Sequence, residues 1–328
     1  MKESVFSVMV VLAFLHGIES FGDEPRFEKV SDHCYYLQLG DEGANVAVVV
    51  SEQGILIVDP PEEQDLSVVV DALKRLSSKA VRWIAFTNPR FVRTAGTRYF
   101  AERGALLLAG TRLQILAESE KETMSEYPDA LKDWLNHIAL GAKQPSFRWL
   151  IFDKEMRLFP SDLEIRITAL QHKARTGGDA VLYIPDEKVL FVGDLYESAR
   201  YPDIDAAGEG SALEWIDGME QVIDSVPVLK AAIPEEGSEA GEEEEMTLEE
   251  RIAVVSARGE VSNLQNMKDL LEACQKLERY VQRSVDRGRS YERFLTLAST
   301  GPYYSYGNLT AYTAQLFEEL KPPAEKKN

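Results

Sequence analysis

Residues 86–100, FTNPRFVRTAGTRYF, are framed like a metal-binding loop: an apolar strand, a Thr, a short polar stretch, then a Gly and a helix. The loop contains no histidine, cysteine or carboxylate. Zinc takes thiolate sulfur, imidazole nitrogen or carboxylate oxygen. Arg90 and Arg93 supply none of these. A guanidinium offers only N–H donors and keeps its charge throughout the ordinary pH range. The chemistry open to the two arginines is therefore the bidentate holding of a carboxylate or phosphate, or ion pairing with acids of the chain itself.

Other catalytic arrangements are weaker. The chain has four histidines, and His16 lies in an N-terminal apolar stretch, which leaves His33, His137 and His172. His33 and Cys34 are adjacent in a strand pattern, so their side chains face opposite sides. The sequence has no G-x-S-x-G elbow and no G-x-x-x-x-G-K-[ST] loop. RTGGD, residues 175–179, is Gly-rich but runs into a strand rather than a helix N-terminus. Carboxylates are abundant, and no pair is singled out by spacing. Tyr303, Tyr304, Tyr306 and Tyr312 form an aromatic-rich stretch that reads as packing.

The elements that must position these groups are legible from hydrophobic period. Residues 32–40, 44–52 and 54–61 read as three strands with tight polar turns, and residues 62–78 as an amphipathic helix with Leu66, Val69, Val70 and Leu73 on one face. A strand at 80–88 leads into the opening loop, a helix follows to Gly104, and 105–110 is a short buried strand. Residues 111–140 read as helical with a break near Pro128. Two strand pairs are expected over 147–171 and 179–196, then a helix at 211–225 and a last strand at 229–237. From Thr247 the pattern is mostly helical. Runs of strands and helices in this order imply an α/β protein of two mixed sheets with helices outside.

The order of these elements resembles the metallo-β-lactamase superfamily, a four-layer αβ/βα sandwich, here with a helical C-terminal extension. The likeness covers roughly residues 27–240. In that superfamily a strand runs into H-x-H-x-D-H before a Gly and a helix; in TNPRFVRTAGTRYF those four ligand positions fall on Asn88, Arg90, Val92 and Arg93. The next ligand, in His-Thr-x-Gly-Asp, falls on Arg175 in RTGGD. The Asp of the GD that follows a strand is kept, as Asp194 in VLFVGDLY. The last His, in PGHG after the final strand, falls on Glu236 of IPEEG. GILIVDPP fits the early strand that ends in an Asp, here Asp59.

The resemblance implies a cleft where Arg90, Arg93 and Arg175 meet Asp194 and Glu236. No zinc is expected there, although zinc serves the active family, whose hydrolysis uses metal-activated water. The expected role is a non-catalytic pseudoenzyme that binds a small anionic ligand or a protein partner through the old cleft. The alternative is a hydrolase of the superfamily working with a non-standard or single metal site, drawing on Asp194, Glu236 and His172.

Composition narrows the partners. A formal charge of -19 in 328 residues repels nucleic acid and anionic membranes. Nine of the glutamates sit in PEEGSEAGEEEEMTLEE, which reads as a solvated loop. Lys2, the apolar residues 5–15 and the small-x-small Ser20-Phe21-Gly22 read as a signal peptide over 1–22, too short to span a bilayer. The expected organisation is then a leader at 1–22, a sandwich domain at 23–246 and a helical extension at 247–328, in a secreted or periplasmic protein. Cys34 and Cys274 are expected as free buried thiols, and Asn308-Leu309-Thr310 matches a glycosylation sequon.

Overall fold

A computed structural model of the chain describes residues 24–40, 44–90, 94–112, 148–226, 247, 249, 251–298 and 306–321. The expected leader, the helical stretch 113–140 and the strand at 229–237 lie outside them. Strands β1 (Glu28–Lys29), β2 (Cys34–Gln38), β3 (Asn45–Ser51), β4 (Gly54–Val58), β5 (Val81–Ala85), β6 (Leu106–Gly110) and β7 (Arg148–Phe152) form one sheet in sequence order. The second sheet runs β13-β12-β11-β10-β9-β8, from β8 (Glu155–Leu158), β9 (Ile165–Ala169), β10 (Ala180–Ile184), β11 (Val189–Gly193), β12 (Ala253–Ser256) and β13 (Ser262–Asn263).

Alternation along the strands makes the layers. In β4, Ile55 and Ile57 face the outer cluster under α1 (Leu66–Leu76) and α2 (Ala95–Glu102), while Leu56 and Val58 face the space between the sheets. In β11, Phe191 packs into the same inter-sheet core, and Leu190 and Val192 turn to the other outer layer. That layer is built from α3 (Ala212–Ser225), α4 (Leu264–Asp286), α5 (Tyr291–Ala298) and α6 (Leu309–Leu320). The result is helix, sheet, sheet, helix, the four-layer sandwich that the element order implied.

Two expectations need correction. The chain from 247 on does not begin as a helical extension. β12 pairs parallel with β11 inside the second sheet, and Leu264, Leu270, Tyr312 and Leu316 share one core with Trp215 and Met219 of α3. A boundary at 246/247 therefore cuts a folded unit. Nor do residues 147–171 form one strand pair: β7 closes the first sheet against β6, and two residues later β8 opens the second, where it pairs with β9.

The last helix is tied to the sandwich by charge. Glu319 of α6 accepts hydrogen bonds from the backbone N–H groups of Ala212 (2.8 Å) and Leu213 (3.1 Å) and from the Ser211 hydroxyl (2.8 Å). Those N–H groups are the otherwise unpaired first turn of α3, where a carboxylate also meets the positive end of the helix dipole. Glu319→Ala is expected to destabilise the fold by about 1–2 kcal/mol in denaturant unfolding.

Cys34 lies in the inter-sheet core and Cys274 in the α3–α6 layer, both buried and unpaired, as the sequence suggested. Burial pushes the Cys34 thiol up to about 12 and raises Cys274 as well. Tyr312 is core, stacked on Tyr201, and Tyr306 packs on the same ring; Tyr303 and Tyr304 lie outside the described residues. Asn308 of the sequon sits at positive φ, and its amide donates to the carbonyls of Tyr201 (3.3 Å) and Pro202 (3.2 Å). Among the described residues no helix is long and apolar enough to cross a membrane.

Candidate functional site

β4 pairs parallel with β5 in one sheet, and β11 with β12 in the other, so the ends of each pair emerge together. The carboxyl ends of parallel strands are where α/β folds place ligands. Asp59 follows β4, Thr87 and Asn88 follow β5, Asp194 follows β11, and Arg258 follows β12. Arg175 comes from the connection between β9 and β10.

Backbone and buried polar bonds fasten these ends to one another. Asp59 is buried at φ 52°, a conformation that costs a non-glycine residue, and it is held by two short bonds. The Thr87 N–H donates to Oδ1 at 2.8 Å and the Thr87 hydroxyl to Oδ2 at 2.6 Å. Burial pushes the Asp59 carboxyl up to about 8, and the charge of Asp194 adds to the rise. Gly193, at φ 55°, lies directly against this pair, and a Cβ there would overlap the Thr87 hydroxyl. The Ala180 N–H donates to the Thr87 carbonyl at 2.6 Å and so ties the two sheets. Across the other side, Asn45 at the start of β3 donates through Nδ2 to the carbonyls of Ser256 (3.0 Å) and Gly259 (2.7 Å). The loop that carries Arg258 is thereby fixed.

Arg175 is held from its backbone. Its carbonyl accepts from the Asp205 N–H at 3.0 Å, with Gly210 so close that a side chain there would overlap it. The next turn is closed by Asp179, which accepts from the Thr176 N–H at 2.7 Å and hydroxyl at 2.6 Å. Burial raises the Asp179 carboxyl to about 7.

One carboxylate oxygen, Oδ2 of Asp194, is the meeting point. Asn88 Nδ2 lies 3.4 Å away, Arg175 Nη2 3.9 Å and Arg90 Nη1 4.0 Å. Asn88 also orders the loop, since its Oδ1 accepts from the Arg90 N–H at 2.9 Å. The two guanidiniums stand at ion-pair range, beyond direct hydrogen-bond length. The side chains of Arg175 and Asp194 are each only 9% exposed, whereas Arg90 is 55% exposed. Among the described residues, Nη1 of Arg175 is buried with no hydrogen-bond partner.

Arg175, Arg200 and Arg258 line the cleft with Asp194, Glu197 and Asp203, and Tyr196 and Tyr201 form part of its wall. Arg200 is taken up by Glu197 at 3.6 Å. With Arg90 at the rim, four guanidiniums face three carboxylates in a chain that is otherwise strongly acidic. The cavity is about 30 Å³, room for one or two waters or for the head of a compact anion.

Of the seven positions read from the sequence, Asn88, Arg90, Arg175 and Asp194 come together as described. Val92, Arg93 and Glu236 lie outside the described residues. The strand beside β11 is β12, and the loop after it, Ala257-Arg258-Gly259, brings Arg258 to the cleft. That residue was missed. Its signal was the short apolar run Ile252–Val255 followed by small residues and Gly259, inside a segment that reads as helical. His172 does not line the cleft; it packs beside Gly218 of α3. His33 pairs with Glu187 at 2.6 Å, away from the cleft, and His137 lies outside the described residues.

Zinc, which the resemblance implies, does not fit the donor set of the described residues. Asn88 and Asp194 present oxygen, but Arg90, Arg175 and Arg258 present only N–H groups. Among the described residues no three His, Cys, Asp or Glu side chains gather as an ion would need.

No family model matches the sequence. Among solved structures the fold is similar to the inverting sec-alkylsulfatase Pisa1 from Pseudomonas sp., with a TM-score of 0.60 and 11% identity over 90% of this chain and 50% of that one. It is also similar to a metallo-β-lactamase from Pontibacter korlensis, with a TM-score of 0.53 and 13% identity over 76% of this chain and 99% of that one. The DIM-1 metallo-β-lactamase gives 0.51 and 16% over 77% and 98%. The likeness is one of fold: the chain has the metallo-β-lactamase-type sandwich, and it spans half the length of the alkylsulfatase it matches.

Proposed function

We propose that this metallo-β-lactamase-fold protein is a non-catalytic relative of the hydrolases that share the fold, and that its cleft binds a compact anion. Arg175 carries the proposal. A guanidinium that is buried, lines a cleft and has an Nη1 unpartnered among the described residues is a donor set waiting for an acceptor. A carboxylate or phosphate would complete it bidentately. Arg258 and Arg90 flank the cleft as further donors, and Asp194 stands at ion-pair range of both Arg175 and Arg90. An acidic side chain or chain terminus of a protein partner would present the same group. The leader-like residues 1–22 support export as the setting.

The test is calorimetric titration with inorganic phosphate at low salt, for the parent and for Arg175→Met, which keeps the bulk and removes the charge. The parent is expected to bind, and the variant to bind at least tenfold more weakly, since a hydrogen bond to a charged group is worth about 1.5–3 kcal/mol. Equal binding by both removes Arg175 from the site. The same preparations should be assayed for metal: stoichiometric zinc retained through purification would favour the alternative, a hydrolase with a non-standard metal site.

A further inference from the structure

A second concavity lies on the opposite helical face of the first sheet, between the C-terminal end of α1, the start of β5 and α2. Its volume is about 430 Å³, within the range of small-molecule sites. The floor is apolar, made by Ile55, Val70, Leu73, Val81 and Phe100. The polar lining is one-signed. Lys74, Lys79 and Arg103 stand around it and, among the described residues, no carboxylate lines it, in a chain of formal charge -19.

The three cations are positioned but not used up. Lys74 donates one N–H to Asp71 at 2.8 Å, and its place in the last turn of α1 suits the helix dipole. Lys79 donates to the Ser51 carbonyl at 2.7 Å, which pins it at the α1–β5 turn. Arg103 stands over the Tyr99 ring, its Cζ 3.5 Å from the centroid, and its Nη1 donates to the Tyr99 carbonyl at 2.9 Å. An ammonium has three N–H donors and a guanidinium five, so each keeps donors for a ligand. Their carbon stems extend the apolar wall.

We infer that this groove binds a single-chain amphiphilic anion, a hydrocarbon tail with a carboxylate or sulfate head. The tail covers the floor under α1 and α2, and the head sits among Lys74, Lys79 and Arg103. The charge pattern selects this occupant. Lys74 has Asp71 as a counter-charge, but an uncharged or cationic chain would leave Lys79 and Arg103 facing no acid of the lining, and a bare inorganic anion would leave the apolar floor open. The site is separate from the Arg175 cleft and does not depend on the reading given to it.

The test is titration of the full chain with decanoate below its micelle concentration, beside decyltrimethylammonium as a tail of equal length and opposite charge. Decanoate is expected to bind saturably with one site per chain, and decyltrimethylammonium at least tenfold more weakly. The combined variant Lys74→Ala, Lys79→Ala and Arg103→Ala is expected to lose at least tenfold for decanoate. Val70→Glu, which sets a carboxylate on the half-buried floor, should do the same, with thermal melting confirming that both variants fold. The inference is overturned if decanoate does not saturate, if the triple variant binds as the parent does, or if the cationic chain binds equally well. Binding confined to anionic vesicles, with none to monomeric decanoate, also overturns it.

Discussion

Asp194→Ala is expected to destabilise the protein by about 3 kcal/mol, because it strands a buried positive charge. Asp194 and Arg175 are both nearly enclosed, and Asp194 is the acid at ion-pair range of Arg175 among the described residues. Arg175→Met should cost less, since it leaves Asp194 with Arg90 at 4.0 Å and the Asn88 amide at 3.4 Å. The two changes together should be less damaging than Asp194→Ala alone, by about 1–2 kcal/mol, because the pair of charges then leaves the interior at once. Urea unfolding of the four proteins measures the cycle. Anion affinity should move the other way: Asp194→Ala removes a repelling carboxylate, so phosphate should bind several-fold more tightly. If Asp194→Ala unfolds like the parent, the internal pairing of these groups is not what holds the cleft.

How much of this was legible follows from the physics of each signal. The inner and outer faces of β4 could be read directly, because a two-residue period in an apolar run has one outcome once one sheet face packs on helices and the other on a second sheet. α1 could be read from Leu66, Val69, Val70 and Leu73. The loop after β5, RTGGD between β9 and β10, and the GD after β11 gave Asn88, Arg90, Arg175 and Asp194 as one set. β12 could not be read with the same assurance. Its four residues are too few for period to separate strand from helix, and it is kept as a strand by its parallel pairing with β11 across a long interval of sequence. Arg258 was lost with it, since its place in the cleft depends on that pairing and on Asn45, more than 200 residues away, holding its loop. The Glu319 contact to α3 is of the same kind: nothing local to either helix announces it.

The second large effect is on pH dependence. The Asp59 carboxyl, raised by burial to about 8 from an ordinary 3.8, keeps a proton in the folded chain over a range where the unfolded chain has lost it. Between those values the folded state binds more protons, so stability falls as pH rises, by about 1.4 kcal/mol per unit for one such group. The contribution is fully present below the unfolded value and gone above about 8. Asp179, raised to about 7, acts in the same direction over a narrower range. Melting temperature is therefore expected to decline from pH 5 to pH 8, a window chosen to stay above the range where carboxylates such as Glu164 and Glu249, held low by Arg166 and Lys268, lose stability on protonation. Asp59→Asn separates this cause from others. The amide is neutral at every pH, its oxygen can accept from the Thr87 N–H, and its nitrogen can donate to the Thr87 hydroxyl. The variant should show a flatter profile than the parent and should be the more stable of the two at pH 8. A slope unchanged by Asp59→Asn would place the titration elsewhere. Thr87 precedes Asn88, and Asn88 orders Arg90 and reaches Asp194. The proton that relieves Asp59 is therefore one that also steadies the floor of the cleft.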